Sequence, residues 1–444
     1  MRIGMRLHFL PNKTAAGPSH LSPDQSSPAV MDAPTPTVSH RPRRPSAALR
    51  IVVLGYLVRG PVGGMAWSAI QYLLGLRRLG HEVLFVEDSG DSPWCCYDPS
   101  RGVVDADPTY GLTYAHAVAA RFGFAADWAY WDAHTSRWMG PRGGDADLFC
   151  RSADIALNIS GINALREWTL AIPCRVFIDS DPAFTQIKHL SDPVARVAGD
   201  AHTHFLSFGA NIGRAGCTVP ADGHSWQPTR QPVVLDLWPV TAPPPGAPVT
   251  TVMQWESYPA LEYAGASYGT KSASFQPYLD LPARSSVALE LALGSVNAPR
   301  DDLRTRGWRI VNPLEVALYP WDFRSYVQAS AGEFGVAKHG YVISRSGWFG
   351  ERSAAYLASG RPAVIQDTGF SDWLPTGEGL FAFSTPDEAI TALEAACREP
   401  ARHARAARSL AEAFFDSDRV LTQLIDQIGT DQPRSPIDSK ERGE

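Results

Sequence analysis

The 444-residue chain carries no CxxC pair among its six cysteines, no HExxH, no Walker A loop and no zinc-ligand spacing. Those absences remove the usual sequence signs of a thiol redox centre, a metalloprotease, a P-loop NTPase or a structural zinc site. No apolar run approaches the ~18 residues that a membrane-spanning helix requires. The opening MRIGMRLHFLPNK has no apolar stretch long enough for a secretory signal. A cytoplasmic protein without a transmembrane segment is expected, with peripheral membrane contact left open. Positive charge is not in excess: 40 basic against 46 acidic residues give a net charge of −6. Proteins held on nucleic acid by bulk charge usually run basic, so no nucleic-acid partner is expected. The cysteines at 95, 96, 150, 174, 217 and 397 are scattered and read as free thiols of a reducing compartment.

Proline is abundant and unevenly placed. Eight of the 36 prolines lie in the first 48 residues, beside a basic cluster at Arg41, Arg43 and Arg44. Such a segment buries too little apolar surface to offset its ordering entropy, which predicts a disordered tail over 1–48. Met31 is an alternative start. A second proline cluster, PVTAPPPGAP at 239–248, predicts a stiff extended connection.

Between these clusters the hydrophobic pattern is that of an α/β unit. LRIVVLG (49–55) reads as a buried strand, RGPVGG (59–64) as a turn, MAWSAIQYLLGLRRL (65–79) as a helix closed by Gly80, and EVLFVED (82–88) as a second strand. Strands also read at 153–159 and 174–179. The pattern restarts beyond the proline hinge, with strands at 249–255, 286–293, 309–311, 341–344 and 363–366. Two closing helices are expected. The first starts at the capping box Thr385-Pro386-Asp387-Glu388 and the second covers 417–428. The domain reading is therefore a first lobe at 49–238, a hinge at 239–248, a second lobe at 249–416, a helix at 417–428 packing back on the first lobe, and a disordered tail at 429–444. Two α/β lobes imply a cleft between them, where ligands usually bind.

The stretch 333–379 carries the most chemistry. Ser346-Gly347-Trp348-Phe349-Gly350 opens a short helix near Ser353 that stops at Gly360. The first N–H groups of a helix lack intrahelical partners and bear partial positive charge, so a small loop there admits a phosphate, with Arg352 and Ser353 as added donors. An ordinary strand–helix–strand passage remains the plain alternative. The strand at 363–366 runs into Asp367-Thr368-Gly369.

This arrangement resembles the C-terminal lobe of GT-B glycosyltransferases, and more narrowly a bacterial group of predicted glycosyltransferases. The resemblance runs from Tyr268-Gly269-Thr270-Lys271 through GEFGVAK (332–338) and SGWFGERSAAYLASGRPAVIQDTGF (346–370) to LPTGEGLFAF (374–383). It reaches back over IDSDPAFTQ (178–186), FGANIG (208–213) and PTRQPVVLDLW (228–238). It implies two facing Rossmann-like lobes and a nucleoside-diphosphate sugar as substrate, with no cofactor and no metal. It implies that the donor is held by Lys271, Lys338, Ser346, Gly347, Glu351, Arg352, Ser353, Asp367, Thr368 and Gly369. Gly63, Gly64 and Trp67 would meet an acceptor, a small molecule, lipid or glycan. Asp181 is the candidate base and Glu333 a candidate for the sugar hydroxyls.

Two departures are plain. Many retaining GT-B enzymes carry two glutamates eight positions apart, where this chain has Gly347 and Ala355. Many inverting ones place His or Asp after the first strand, where this chain has Arg59, Gly60 and Pro61. The sugar, the acceptor and the stereochemical outcome stay open, as do a nucleotide-sugar 2-epimerase and a non-catalytic nucleotide-sugar-binding protein. Two cheap motifs are set aside. Asp-x-Asp at 179–181 recurs at 105–107, 145–147 and 416–418, and the flanks of Gly-x-Ser-x-Gly at 265–269 supply neither a strand nor a helix clearly, so the match is taken as chance.

Overall fold

A computed structural model describes residues 48–429. The expected tails, Met31 and the arginine cluster lie outside the described residues, except for the tails' inner ends at Ala48 and Gly429.

Two sheets organise the chain. The first has eight strands in the spatial order Gln227–Pro228, His204–Ser207, Cys174–Asp179, Ile155–Ile159, Arg50–Leu54, Glu82–Asp88, Trp128–Asp132 and Arg137–Met139. Its neighbours run parallel except for the final pair, Trp128–Asp132 with Arg137–Met139. Helices cover both faces of this sheet, so Ile51, Val52 and Val53 have no exposed surface and the strand reads as an unbroken apolar run. The second sheet has six parallel strands in the order Arg309–Val311, Leu289–Gly294, Val249–Gln254, Gly332–Gly335, Ala363–Gln366 and Leu380–Phe383. Each sheet is the doubly wound α/β plan, so the expected pair of Rossmann-like lobes is what the chain forms.

Three local expectations need correction. The run 341–344 is not a strand; it lies in the helix His339–Ile343 followed by Ser344, and the sheet instead takes the fully buried Gly332–Gly335. A four-residue apolar run carries no period that separates strand from helix, and Glu333 hides the strand from a hydrophobicity reading because Arg352 neutralises it inside the lobe. The first long helix begins at Gly63, two residues before the expected 65. The C-terminal part holds three helices, with Pro400–Phe414 between Pro386–Arg398 and Ser417–Gln427.

The capping box forms as read: Glu388 N–H donates to Thr385 Oγ1 at 3.3 Å and Thr385 N–H to Glu388 Oε2 at 3.2 Å. The last helix lies against the first lobe, where Arg78 meets Asp418 at 3.5 Å, and just before it Phe415 accepts the N–H of Val233 at 2.7 Å. The segment around Gly265 is a hairpin of Leu261–Tyr263 and Ala266–Tyr268, so Gly-x-Ser-x-Gly builds no nucleophile elbow. In the first lobe, Asp222 Oδ2 meets His189 Nδ1 at 2.7 Å and His224 Nδ1 at 3.2 Å, distances of direct hydrogen bonds. Burial pushes Asp222 up, but His189, Trp226 and His224 outweigh it and hold the carboxyl at about 2. Among the described residues no helix is long and apolar enough to cross a membrane.

Candidate functional site

A cavity of about 930 Å³ separates the lobes. Gln254, Gly294 and Ser295 line it at the carboxyl ends of two central strands of the second sheet, where doubly wound sheets take their ligands. The opposite wall is the helix Gly63–Arg78, through Gly64, Met65, Trp67, Ser68 and Tyr72.

Four basic residues of the second lobe line the cavity: Lys271, Arg300, Arg304 and Arg352. Lys271 opens the helix Lys271–Phe275 and lines the cavity. Burial holds its amine well below the ordinary lysine value, and the positive charges of Arg352 and Lys338 add to that. Arg352, the second residue of the helix Glu351–Ala358, also lines the cavity. Its Nε donates to Glu333 Oε1 at 2.5 Å and its Nη1 to the carbonyl of Val252 at 2.7 Å. Glu333 is therefore not open to a sugar. It is fully buried in its strand and committed to orienting Arg352, with Oε2 lacking a hydrogen-bond partner. Arg300, which the sequence did not single out, lines the same cavity with Nη2 on the carbonyl of Leu293 at 2.9 Å.

The helix Glu351–Ala358 opens into this space. Its N-cap Gly350 lines the cavity, and the first-turn N–H groups lack intrahelical partners, as at any helix start. Glu351 departs from the donor-side expectation. Its Oε1 accepts the hydroxyl of Ser68 at 2.8 Å, so the side chain reaches across to the first lobe. Burial raises its carboxyl to about 7, against the opposing pull of the Ser68 hydrogen bond. Ser353 instead turns inward and is buried.

The first-lobe residues divide. Gly64 and Trp67 line the cavity, and the Trp67 indole N–H donates to the carbonyl of Pro320 at 2.7 Å. Gly63 does not face a ligand. Its N–H donates to Ala317 at 3.0 Å, and a Cβ there would stand 2.5 Å from the carbonyl oxygen of Tyr319. Glycine at 63 lets the two lobes touch backbone to backbone.

The loop expected to cradle phosphate is split in the same way. Asn211 of the first lobe plugs its outer half: its N–H donates to the carbonyl of Ser346 at 3.0 Å and its Nδ2 to that of Gly369 at 2.9 Å. Gly347, at φ +75°, would place a Cβ 2.7 Å from the Asn211 amide carbon, and its N–H is spent on Thr368 at 2.8 Å. Asp367 closes its own turn by accepting the N–H of Gly369 at 2.9 Å. Ser346, Gly347 and Gly369 thus form an interlobe contact, while Asp367 and Thr368 bond within the second lobe. None of the five is cavity wall, and of this loop Trp348, Gly350, Glu351 and Arg352 line the cavity.

Asp181 and Lys338 form a further contact between lobes. Lys338 Nζ donates to Asp181 Oδ1 at 2.8 Å, Tyr258 donates to Oδ2 at 2.5 Å, and Tyr341 adds its hydroxyl on Oδ1. The ammonium sits 4.5 Å from the Tyr258 ring centroid and 5.2 Å from that of Phe184. Burial pushes Asp181 up, but Lys338, Lys188 and these hydrogen bonds keep it below the ordinary aspartate value. A carboxylate so occupied is a poor proton acceptor, and neither residue lines the cavity.

No protein-family profile and no curated protein matches the chain. Solved structures match its fold. An alpha-glucosyltransferase in complex with UDP is 11% identical, with a TM-score of 0.52, over 86% of this chain and 100% of its own. Anabaena Alr3699/HepE in complex with UDP-glucose is 12% identical, with a TM-score of 0.52, over 86% and 99%. An alpha-glucosyltransferase has also been solved with UDP and a 13-mer DNA at 10% identity and a TM-score of 0.52. The fold of this chain is that of the GT-B glycosyltransferases.

Proposed function

We propose that the chain is a glycosyltransferase that moves a sugar from a nucleoside-diphosphate sugar to an acceptor hydroxyl. The observation that carries this reading is the convergence of Lys271, Arg352 and the start of the helix Glu351–Ala358 on one wall of the interlobe cavity. Buried Glu333 is the acid paired with Arg352, and its charge also acts on Lys271. As the bond from sugar to diphosphate breaks, negative charge grows on the leaving diphosphate. Fixed cations and oriented N–H groups stabilise that charge, and losing one such donor typically costs about 3 kcal/mol of barrier. These groups do the work without a metal ion, so the reaction is proposed to be metal-independent. The GT-B relatives bound to UDP and UDP-glucose support a nucleotide sugar as donor.

The second lobe would hold the donor and the first lobe the acceptor, with closure about 239–248 excluding water. The acceptor is proposed to be a small molecule, lipid or glycan. One relative binds DNA, but the net charge of −6 speaks against a nucleic acid here. The test is a thermal-shift panel of UDP-glucose, UDP-N-acetylglucosamine, GDP-mannose and dTDP-glucose in EDTA, followed by assay of free sugar release. A donor should raise the melting point, because stabilisation follows RT ln(1 + [L]/Kd). Binding without release or transfer would mark a binding protein, sugar interconversion an epimerase, and strict dependence on a divalent ion would contradict the reading.

A further inference from the structure

Beyond the donor cations, the cavity holds a polar cluster on its first-lobe side. Ser68 and Tyr72 lie one turn apart on the helix Gly63–Arg78 and both line the cavity. Tyr72 has no exposed surface, and its hydroxyl has no hydrogen-bond partner. The indole nitrogen of Trp238 is in the same position, fully buried, without a partner, on a residue that lines the same space. A buried hydroxyl or indole N–H without a partner forfeits about 1–3 kcal/mol, which a ligand oxygen recovers. Glu351 completes the cluster from the second lobe, with Oε1 on Ser68 at 2.8 Å. It is the first residue of the helix whose second is Arg352, and its carboxyl meets the acceptor-side helix at Ser68. The wall around these groups is apolar, through Val62, Met65, Val233 and Phe323.

We propose that this cluster is the seat of the acceptor hydroxyl and that Glu351 is the catalytic residue that takes its proton. The inference rests on the transferase reading and departs from a first-lobe His or Asp base. In the step, an oxygen lone pair of the acceptor forms the bond to the anomeric carbon. The bond from that carbon to the diphosphate oxygen breaks, leaving its electron pair on the diphosphate, and the acceptor proton passes to the Glu351 carboxylate. Ser68 and Tyr72 orient the attacking oxygen, and the apolar wall fits a hydroxyl carried on a largely apolar body. Ser68 and Tyr72 face Glu351 from the first lobe; Lys271, Arg352, Arg300 and Arg304 of the second lobe and Arg101 of the first share the cavity.

The test needs no knowledge of the acceptor, because water can take its place and the donor is then hydrolysed. Each panel nucleotide sugar is incubated with wild type, Glu351→Gln and Glu351→Asp across a pH series, with donor affinity measured in parallel. Glutamine keeps the size and the hydrogen bond to Ser68 but cannot accept a proton. Glu351→Gln should lower sugar release by about 100-fold or more, the usual range for losing a general base. Its donor affinity should stay within a few-fold of wild type, and Glu351→Asp should keep part of the rate. The acid limb of the wild-type profile, with its midpoint near 7, should vanish in Glu351→Gln. Release by Glu351→Gln close to the wild-type rate would overturn the proposal, because a hydrogen-bonding role survives in glutamine. Loss of donor affinity would also overturn it, by placing Glu351 on the donor. If no nucleotide sugar binds wild type, the transferase reading fails and takes this proposal with it.

Discussion

Replacing Glu333 with alanine separates a buried orienting residue from one that touches substrate. Glu333 is fully buried, and Arg352, its partner at 2.5 Å, keeps 17% of its side chain exposed. Alanine leaves the guanidinium with the Val252 carbonyl as its remaining protein partner. Removing one member of a buried ion pair typically costs about 3–5 kcal/mol, because the other charge stays behind without compensation. For a lobe of this size that corresponds to a melting-point loss of about 6–20 °C. Glu333→Gln keeps an acceptor for Arg352 Nε and should lose less. The freed cation also gives a signature in binding. A diphosphate next to Arg352 substitutes for the missing carboxylate, so UDP should stabilise Glu333→Ala by more degrees than it stabilises wild type. Differential scanning fluorimetry with and without UDP reads both effects. A melting point unchanged in Glu333→Ala, or a UDP shift smaller than in wild type, would refute the view that Glu333 exists to hold Arg352 toward the cavity.

Three further outcomes follow from the same geometry. Because burial and neighbouring cations hold Lys271 below the ordinary lysine value, an arriving diphosphate should raise it; UDP binding should take up protons increasingly as pH rises, read by calorimetry in buffers of different ionisation enthalpy, and no buffer dependence would contradict this. Asp181→Asn strips the counter-charge from Lys338 inside its aromatic surround, so stability should fall by about 3–5 kcal/mol and small-angle scattering should report a larger radius; an unchanged melting point and radius would remove the clamp role. Burial raises Glu351 from 4.5 to about 7, so the folded state holds a proton that the unfolded state has lost. Stability is therefore full below 4.5 and falls as pH climbs to about 7, by about 3 kcal/mol at most. Glu351→Gln should gain on wild type at about pH 8 but not below 4.5, and an offset equal at both pH values would contradict the shift.

The two-lobed plan was legible because its signals are local. The run at 49–55, the glycine turn and the helical face of 65–79 lie within one unit, and the capping box at 385–388 forms through residues three apart. Arg352 and a helix start were readable from helix chemistry and side-chain charge, although the start falls at Glu351 rather than near Ser353; Lys271 was singled out by the family resemblance. What sequence could not supply was partnership across the chain. Glu333 meets Arg352 across 19 positions and Asp181 meets Lys338 across 157, so two acids that looked free for catalysis are each committed to a cation. Asn211 gave no signal that it would occupy the loop at 346–347, from a partner more than 130 positions away. The spacing of four between Ser68 and Tyr72 places both on one side of their helix, but nothing local in the sequence separates cavity wall from core there.

The central claim is that the interlobe cavity binds a nucleoside diphosphate through Lys271 and Arg352. Calorimetric titration of UDP, GDP and dTDP, in EDTA, into wild type, Lys271→Ala and Arg352→Ala tests it most directly. The account predicts one-to-one binding of at least one diphosphate to wild type, weakened by about 10-fold or more in each variant, as the loss of a charge-assisted hydrogen bond implies. Wild type that binds none of the three, or affinity that survives both substitutions, would contradict it.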